Sequence, residues 1–334
     1  MTTWILVDER FPSNQRPILS SCETYRKRCL VSDASGTVKE AIVHGVASVF
    51  CSKDIRNRGY ASRMLKDLAR QLYTWQAEHH PCVGSILYSD IGKAYYERLG
   101  WRANTTNSHI EFKPTATTPW PTSVELISTK DLKQLCKTDE AMLREAMATL
   151  SLDTPARMAI IPDIDHMLWH HAKEDYTCTY LFGKTPTAKG AISGQPGNRV
   201  WVIWTHRYYD KLDDEKAQNV LYILRLVIEV DPTATRLLSD AHKRPTKEKL
   251  NEQMAALRAV LQAAQAEAEM WRLDCVQLWD PTPLARDILE RSGVEYNVVE
   301  REEGNIASLF WYNENGGIGD AMPLWVNCEH YAWM

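Results

Sequence analysis

The sequence predicts an α/β, α+β-layered fold in two lobes, the second repeating the first, and three observations carry that expectation. The stretch Ala47–Ala61, ASVFCSKDIRNRGYA, reads as a strand that runs into a glycine-bearing turn and opens a helix. Ser85-Ile86-Leu87-Tyr88-Ser89 reads as another strand, followed by a helical Gly92–Trp101 segment. Cys82-Val83 and Glu97-Arg98-Leu99-Gly100 then recur as Cys275-Val276 and Glu290-Arg291-Ser292-Gly293, with fifteen positions from Cys to Glu in both copies, which suggests an internal duplication.

In chain order, Trp4–Val7, Ile18–Ser32 and Lys39–Cys51 are apolar-rich runs with strand character, the last two joined by a turn at Asp33-Ala34-Ser35-Gly36. A helix over Ser62–Trp75 carries Met64, Leu65, Leu68 and Leu72 at helical spacing. A strand at Val83–Tyr88, a helix at Ile91–Leu99 and a strand near His109–Phe112 complete a first lobe over residues 1–114. The polar, proline-rich stretch at 115–122, which continues Lys113-Pro114 and holds Pro119-Trp120-Pro121, reads as a linker to a second lobe over 123–334. There the expected order is a strand at Val124–Ile127, helices near Leu132–Leu150 and His166–Ala172, and strands near Thr179–Phe182, Gly190–Ile192 and Val200–Thr205. Helices beyond Asp213 come next. In Lys247–Trp271, Leu250, Met254, Leu257, Leu261, Ala264, Ala268 and Trp271 form the stripe of a helix packed on a sheet rather than a coiled-coil seam.

At 334 residues two lobes are comfortable, and 44% hydrophobic with 25% charged residues is the balance of a globular protein. A net charge of −4 argues against nucleic-acid or anionic-membrane partners, which favour a basic surface. The eight cysteines lack Cys-x-x-Cys spacing and fit free thiols. The opening MTTWILVDERFPS lacks a signal-peptide profile, and the longest apolar stretch, Val220–Val230, is too short to span a bilayer and contains Arg225 and Glu229. A cytoplasmic location is expected.

A strand feeding a helix N-terminus aims unpaired N–H groups and the positive end of the helix dipole at one spot, which suits a pyrophosphate. Gly59 lets the backbone approach such a ligand, and Arg56 and Arg58 suit phosphates. Lys53, Arg63, Lys66 and Arg70 extend the basic cluster, with a solvated helix face as the plainer reading of the last three. His166-x-x-x-His170-His171 has the spacing of a metal pair but lacks the intervening glutamate of His-Glu-x-x-His, so no metal is expected.

The Arg56-x-x-Gly59-x-Ala61 turn, taken with Tyr96-Glu97-Arg98-Leu99-Gly100-Trp101, resembles the GNAT acetyltransferase superfamily. Pro17–Lys27, His44–Cys51, Leu87–Gly92 and the closing Tyr331-Ala332-Trp333 narrow the resemblance to the fungal lysine N-acetyltransferases over nearly the whole chain. That likeness implies tandem GNAT-like lobes, with acetyl-CoA as cosubstrate. The implied cofactor residues are Val49, Phe50, Cys51, Arg56, Asn57, Arg58, Gly59, Tyr60, Ala61, Ser62, Ser89 and Tyr96, with Tyr96 protonating the departing thiolate and a strand N–H supporting the oxyanion. Cys51 reads as a small strand residue rather than a nucleophile, because transfer in that superfamily is direct. Tyr95 reads as structural. A protonated amine acceptor needs a base, for which Glu23 and His44 on neighbouring strands are the candidates.

The chain departs from the resembled pattern in two places. Ala61 stands for the commoner glycine, a change that leaves pyrophosphate binding intact. The first lobe also reads as shortened at its start, lacking the opening strand and two helices that wall the acceptor pocket. The second lobe reads as degenerate, with no Arg-x-x-Gly-x-Gly after Val200–Thr205. The expected function is direct acetyl transfer to a small-molecule amine such as free L-lysine, which an acidic and aromatic surface between the lobes would favour. The alternatives are a CoA-binding pseudoenzyme or scaffold without turnover, or an acetyltransferase acting on a protein lysine or a secondary-metabolite amine. The sequence leaves the oligomeric state open.

Overall fold

The computed structural model describes residues 1–116, 121–151, 154, 156–214, 216, 218–229 and 247–333. Two sheets form its frame. The first is built around a long antiparallel hairpin, β2 (Ile18–Asp33) with β3 (Val38–Phe50), whose turn is tied by Asp33 Oδ1 accepting from the N–H groups of Ser35 and Thr37 at 2.9 and 3.1 Å. β1 (Thr2–Val7) pairs with the early half of β2, and β4 (Cys82–Ser89) runs parallel to β3. The right-handed crossover expected of such a parallel pair is supplied by α1 (Tyr60–Leu72), which buries Met64, Leu65, Leu68, Ala69 and Leu72 on the sheet. A four-residue helix, α2 (Ala94–Glu97), and a short strand, β5 (Arg102–Ala103), follow.

The chain then crosses over. β6 (Ser108–Phe112) joins the second sheet, which also holds β7 (Val124–Ile127), β9 (Gly190–Ser193), β10 (Val200–Arg207), β11 (Val220–Ile228), β12 (Cys275–Trp279) and β13 (Asn297–Glu300). In exchange, β8 (Ala156–Ile160), β14 (Ile306–Trp311) and β15 (Leu324–Trp325) enter the first sheet. The exchange is symmetric. β14 lies between β4 and β5, and β6 lies between β12 and β13. Each parallel pair, β3 with β4 and β11 with β12, thus receives its next strand from the other half of the chain. The boundary expected at 115–122 therefore does not coincide with the division into sheets. Residues 117–120 of that stretch lie outside the described residues.

Among the described residues the second half also holds α3 (Thr129–Met147), α4 (Ile164–Phe182), α5 (Lys247–Met270) and α6 (Pro283–Ser292). α3 opens on a capping box between Ser128 and Asp131. α5 packs Leu257, Leu261, Ala264 and Ala268 onto the second sheet. A separate core lies between the sheets, where Val43, Ile86 and Leu309 of the first meet Trp201, Ile203 and Leu224 of the second. Arg225 of β11 ties this layer to α3 and to the chain's end, through Asp139 at 2.8 Å and through Glu329.

Three expectations need correction. Thr179–Phe182 is the last turn of α4, because Met167, His170, His171, Glu174 and Cys178 continue one buried helical stripe up to Gly183, whose φ of 68° ends the helix. Val220–Ile228 is a strand, not part of the helices expected beyond Asp213: it is buried on both faces, so its apolar run shows no alternation. The helix expected at Ile91–Leu99 shrinks to Ala94–Glu97, since Gly92, at φ 73°, belongs to a loop.

Candidate active site

β3 and β4 pair from Ile42 with Cys82 to Gly45 with Ile86, and then part. β3 bends away at Ser48, whose φ is 53°, where its register against β2 also shifts. The gap holds a cleft of about 580 Å³ lined by Val46–Cys51 on one side and by Leu87, Tyr88, Asp90 and Ile91 on the other. Arg56, Asn57 and Gly59–Ser62 close one end of it, while Tyr95 and Tyr96 also line it.

The turn at that end opens α1 at a helix N-terminus that no described side chain caps. Gly59 is the N-cap of α1 at φ 81°, no side chain caps the first turn, and no acidic residue stands in it. The N–H groups of that first turn have no partner of their own within the helix, so the residues present fit a pyrophosphate. The glycine is required by its left-handed backbone, because a Cβ there meets nothing within 4 Å. Arg56 donates from Nε to the Cys51 carbonyl at 2.9 Å and so fixes the turn, whereas the exposed Arg58 makes no hydrogen bond or ion pair with the described residues and does not line the cleft. Arg63 and Arg70 both engage Asp67, as a solvated helix face would.

Val49, Phe50, Cys51, Asn57, Tyr60, Ala61 and Ser62 all line the cleft. Tyr96 does too, and burial, with Tyr95 and Asp90 adding to it, pushes its phenol up to about 12, so it stays protonated at neutral pH. Tyr95, expected to be structural, reaches the same cleft and holds the start of α1 through a 3.0 Å hydroxyl contact with Ser62. Ser89 does not line the cleft. Its buried hydroxyl donates to the Gly92 carbonyl at 2.7 Å and accepts from the Ile91 N–H at 3.2 Å, which fixes the loop.

Of the two candidate bases, only Glu23 is near the cleft. It accepts from the hydroxyls of Ser48, which lines the cleft, at 3.1 Å and of Tyr25 at 3.2 Å. His44 falls on the opposite face, with Ile42 and Val46 under α1, because side chains alternate along a strand. It is fully buried, one ring nitrogen meets the Trp75 carbonyl at 2.9 Å, and burial lowers its pKa. The expectation of a base at His44 is withdrawn on that geometry.

Tyr25 leads from Glu23 into a second pocket of about 250 Å³ between the first sheet, α4 and the chain's end. Its walls include Lys27, Asp163, Asp165, Trp169, Tyr331 and Trp333. Asp163 caps α4 and faces the His166 ring at 2.8 Å; burial opposes its charge, but His166 holds its pKa below the usual value. Lys27 is different. Only 6% exposed, it makes no hydrogen bond or ion pair among the described residues, and burial lowers its pKa to about 7 despite the pull of Asp163. This pocket escaped sequence reasoning. The available signal was the alternation Glu23, Tyr25, Lys27, which places all three on one face of β2.

The three histidines of the metal-spaced motif part company: His166 faces Asp163, His170 the Tyr331 carbonyl at 3.2 Å, and His171 the Trp204 carbonyl at 2.9 Å. Among the described residues no group of three or more His, Cys, Asp or Glu could hold a metal, and no helix is long and apolar enough to cross a membrane.

A splayed parallel strand pair with an uncapped helix N-terminus at its mouth is the GNAT-type arrangement that the sequence resembles. Residues 109–334 match the family model described as the LYC1 GNAT-like C-terminal domain, and the chain belongs to that GNAT family. It is similar to a lysine acetyltransferase of Yarrowia lipolytica, 22% identical over an alignment 229 residues long that covers 57% of this chain and 57% of that one. An uncharacterized protein of Saccharomyces cerevisiae is 23% identical over an alignment 189 residues long that covers 51% of this chain and 47% of that one. The chain thus spans about half the length of these curated relatives. Among solved structures, a GCN5-related N-acetyltransferase from Kribbella flavida aligns at a TM-score of 0.45 and 12% identity, covering 88% of this chain and 57% of that one. The N-myristoyltransferase of Saccharomyces cerevisiae with bound myristoyl-CoA aligns at 0.48 and 8%, covering 92% and 70%.

Proposed function

We propose that this chain is an acetyl-CoA-dependent N-acetyltransferase acting on a small amine, with free L-lysine as the acceptor. The observation that carries the reading is that Glu23, which lines neither cavity itself, accepts from a lining hydroxyl of each: Ser48 of a cleft with a phosphate-ready helix end, and Tyr25 of a pocket lined by Asp163 and Asp165, by Arg26, Lys27 and Arg28, and by aromatic side chains. The lysine acetyltransferase named among the relatives agrees with that choice of acceptor.

In this reading the N–H groups of the first turn of α1 hold the pyrophosphate, with the exposed Arg58, just ahead of that turn, reaching the phosphates from outside the cleft, and the main chain of β3 past Gly45 would hold the pantetheine arm. Acetyl-CoA, once bound, would supply the thioester carbonyl. Glu23 takes the proton that leaves the acceptor ammonium, freeing the amine lone pair to form the new C–N bond. A β3 N–H supports the oxygen that gains charge. As the C–S bond breaks, Tyr96, still protonated, donates to the departing thiolate, and the second proton that the acceptor nitrogen sheds as the amide forms passes through solvent to restore the phenol.

The test is CoA-thiol release from acetyl-CoA by the purified protein with and without L-lysine, with polyamines and a lysine-containing peptide alongside. Lysine-dependent release is expected. Arg58→Glu should weaken acetyl-CoA binding at least 10-fold, since it replaces attraction to phosphates with repulsion. Tight acetyl-CoA binding with no release on any amine would refute the enzyme reading in favour of a CoA-binding protein.

A further inference from the structure

The second pocket contains a cation with nothing to bind. Burying an ammonium is costly unless it is paired, yet Lys27 is 94% buried, lines the pocket and has no hydrogen-bond or ion-pair partner among the described residues. Asp163, whose charge acts on Lys27 from beyond ion-pair distance, is engaged by His166. Asp165, on the same wall, is exposed and makes no hydrogen bond or ion pair with the described residues.

We infer that Lys27 is the anchor for the carboxylate of the acceptor, which makes the acceptor a zwitterionic diamino acid held by its head group, with Asp165 beside the α-ammonium. This rests on the acetyltransferase reading. Lowered by burial to about 7, the Lys27 amine regains full charge when a carboxylate meets it, so binding takes up a proton.

The spacing along β2 supports the assignment. Glu23 and Lys27 are four residues apart on one face of an extended strand, a separation of about 13 Å. That backbone spacing is commensurate with an extended acceptor that has roughly 7 Å between its carboxylate and its terminal amine, plus a hydrogen bond of about 3 Å at each end. Tyr25 lies between the two, at the level of the aliphatic chain. A diamine without a carboxylate would leave Lys27 buried and unpaired.

The experiment compares kcat/KM for L-lysine and for cadaverine, which is lysine without its carboxylate, in the wild type, Lys27→Met and Lys27→Arg. The wild type should prefer L-lysine by on the order of 10- to 100-fold, the usual worth of a charged hydrogen bond. Lys27→Met should close most of that gap, and Lys27→Arg should keep part of it. Equal kcat/KM for the two amines in the wild type, or a Lys27→Met loss identical for both, would overturn the inference. If no amine is turned over, the acetyltransferase reading fails separately, and calorimetric titration decides the anchor. L-lysine binding that disappears in Lys27→Met supports it; binding that is unchanged, or absent from the wild type, overturns it.

Discussion

An unpaired buried lysine destabilises the ligand-free fold, and replacing Lys27 with methionine should reveal by how much. Its pKa falls from 10.5 to about 7 on folding, with burial as the leading cause, and at 1.36 kcal/mol per unit this corresponds to roughly 5 kcal/mol against the folded state. The sign follows from proton uptake. Below pH 7 both states carry the proton, and the folded state bears the whole cost. Between pH 7 and 10.5 the unfolded chain still holds a proton that the folded one has shed, so wild-type stability gains with rising pH. Methionine, of similar length and without charge, removes the effect. Lys27→Met should therefore be the more stable protein by several kcal/mol at pH 6, and its advantage should shrink by about 3 kcal/mol by pH 9. Urea denaturation of both proteins at the two pH values, without ligand, measures this directly. A variant that is less stable than the wild type at pH 6, or an advantage that does not depend on pH, would refute the claim that Lys27 is buried without a partner.

Two further outcomes follow from the geometry. Tyr96→Phe should lower turnover on the order of 10-fold while acetyl-CoA affinity stays within twofold: the thiolate it serves is a good leaving group, with a thiol reference near 8.5, so the missing donor costs little. Equal turnover in both proteins would make Tyr96 a wall of the cleft only. A fragment comprising residues 1–116 should not fold alone, because it lacks β8, β14 and β15 and leaves the buried β4 without its β14 partner. Near-UV circular dichroism and gel filtration of the fragment check this, and a cooperative, native-like monomer would contradict it.

The strand, turn and helix at the proposed cofactor cleft were legible because they are local. Strand, turn and helix follow one another between Ala47 and Leu72, and the left-handed backbone at Gly59 is a demand that one residue type answers. The equal spacing of Cys82 to Glu97 and Cys275 to Glu290 likewise corresponds to two strand–loop–helix units, β4 with α2 and β12 with α6, each parallel to its preceding strand. What sequence order concealed was where the next strands go. β6 and β14 are short apolar runs that would satisfy either sheet, and nothing in SHIEF or IASLFW specifies pairing with the distant half of the chain. β11 failed for a related reason: a strand buried on both faces has no alternation to mark it.

The acceptor half is the opposite case, because its side chains come from β2, α4 and the residues around Tyr331, more than 130 positions apart at each step. No local pattern announces such a site, and Lys27, between Arg26 and Arg28, looks like one of a run of solvated strand residues until β8 is seen beside β2 and α4 lies over the pocket. The strand exchange is what assembles it. By drawing β8 and β15 into the first sheet, the fold places α4 and the closing Tyr331-Ala332-Trp333 over the face of β2 that carries Glu23, Tyr25 and Lys27. In the proposed reading, cofactor recognition relies on backbone geometry within one stretch of chain, whereas acceptor recognition relies on side chains that meet only after both halves have folded. Changes in β8, α4 or the chain's end should therefore alter acceptor choice before they alter acetyl-CoA binding.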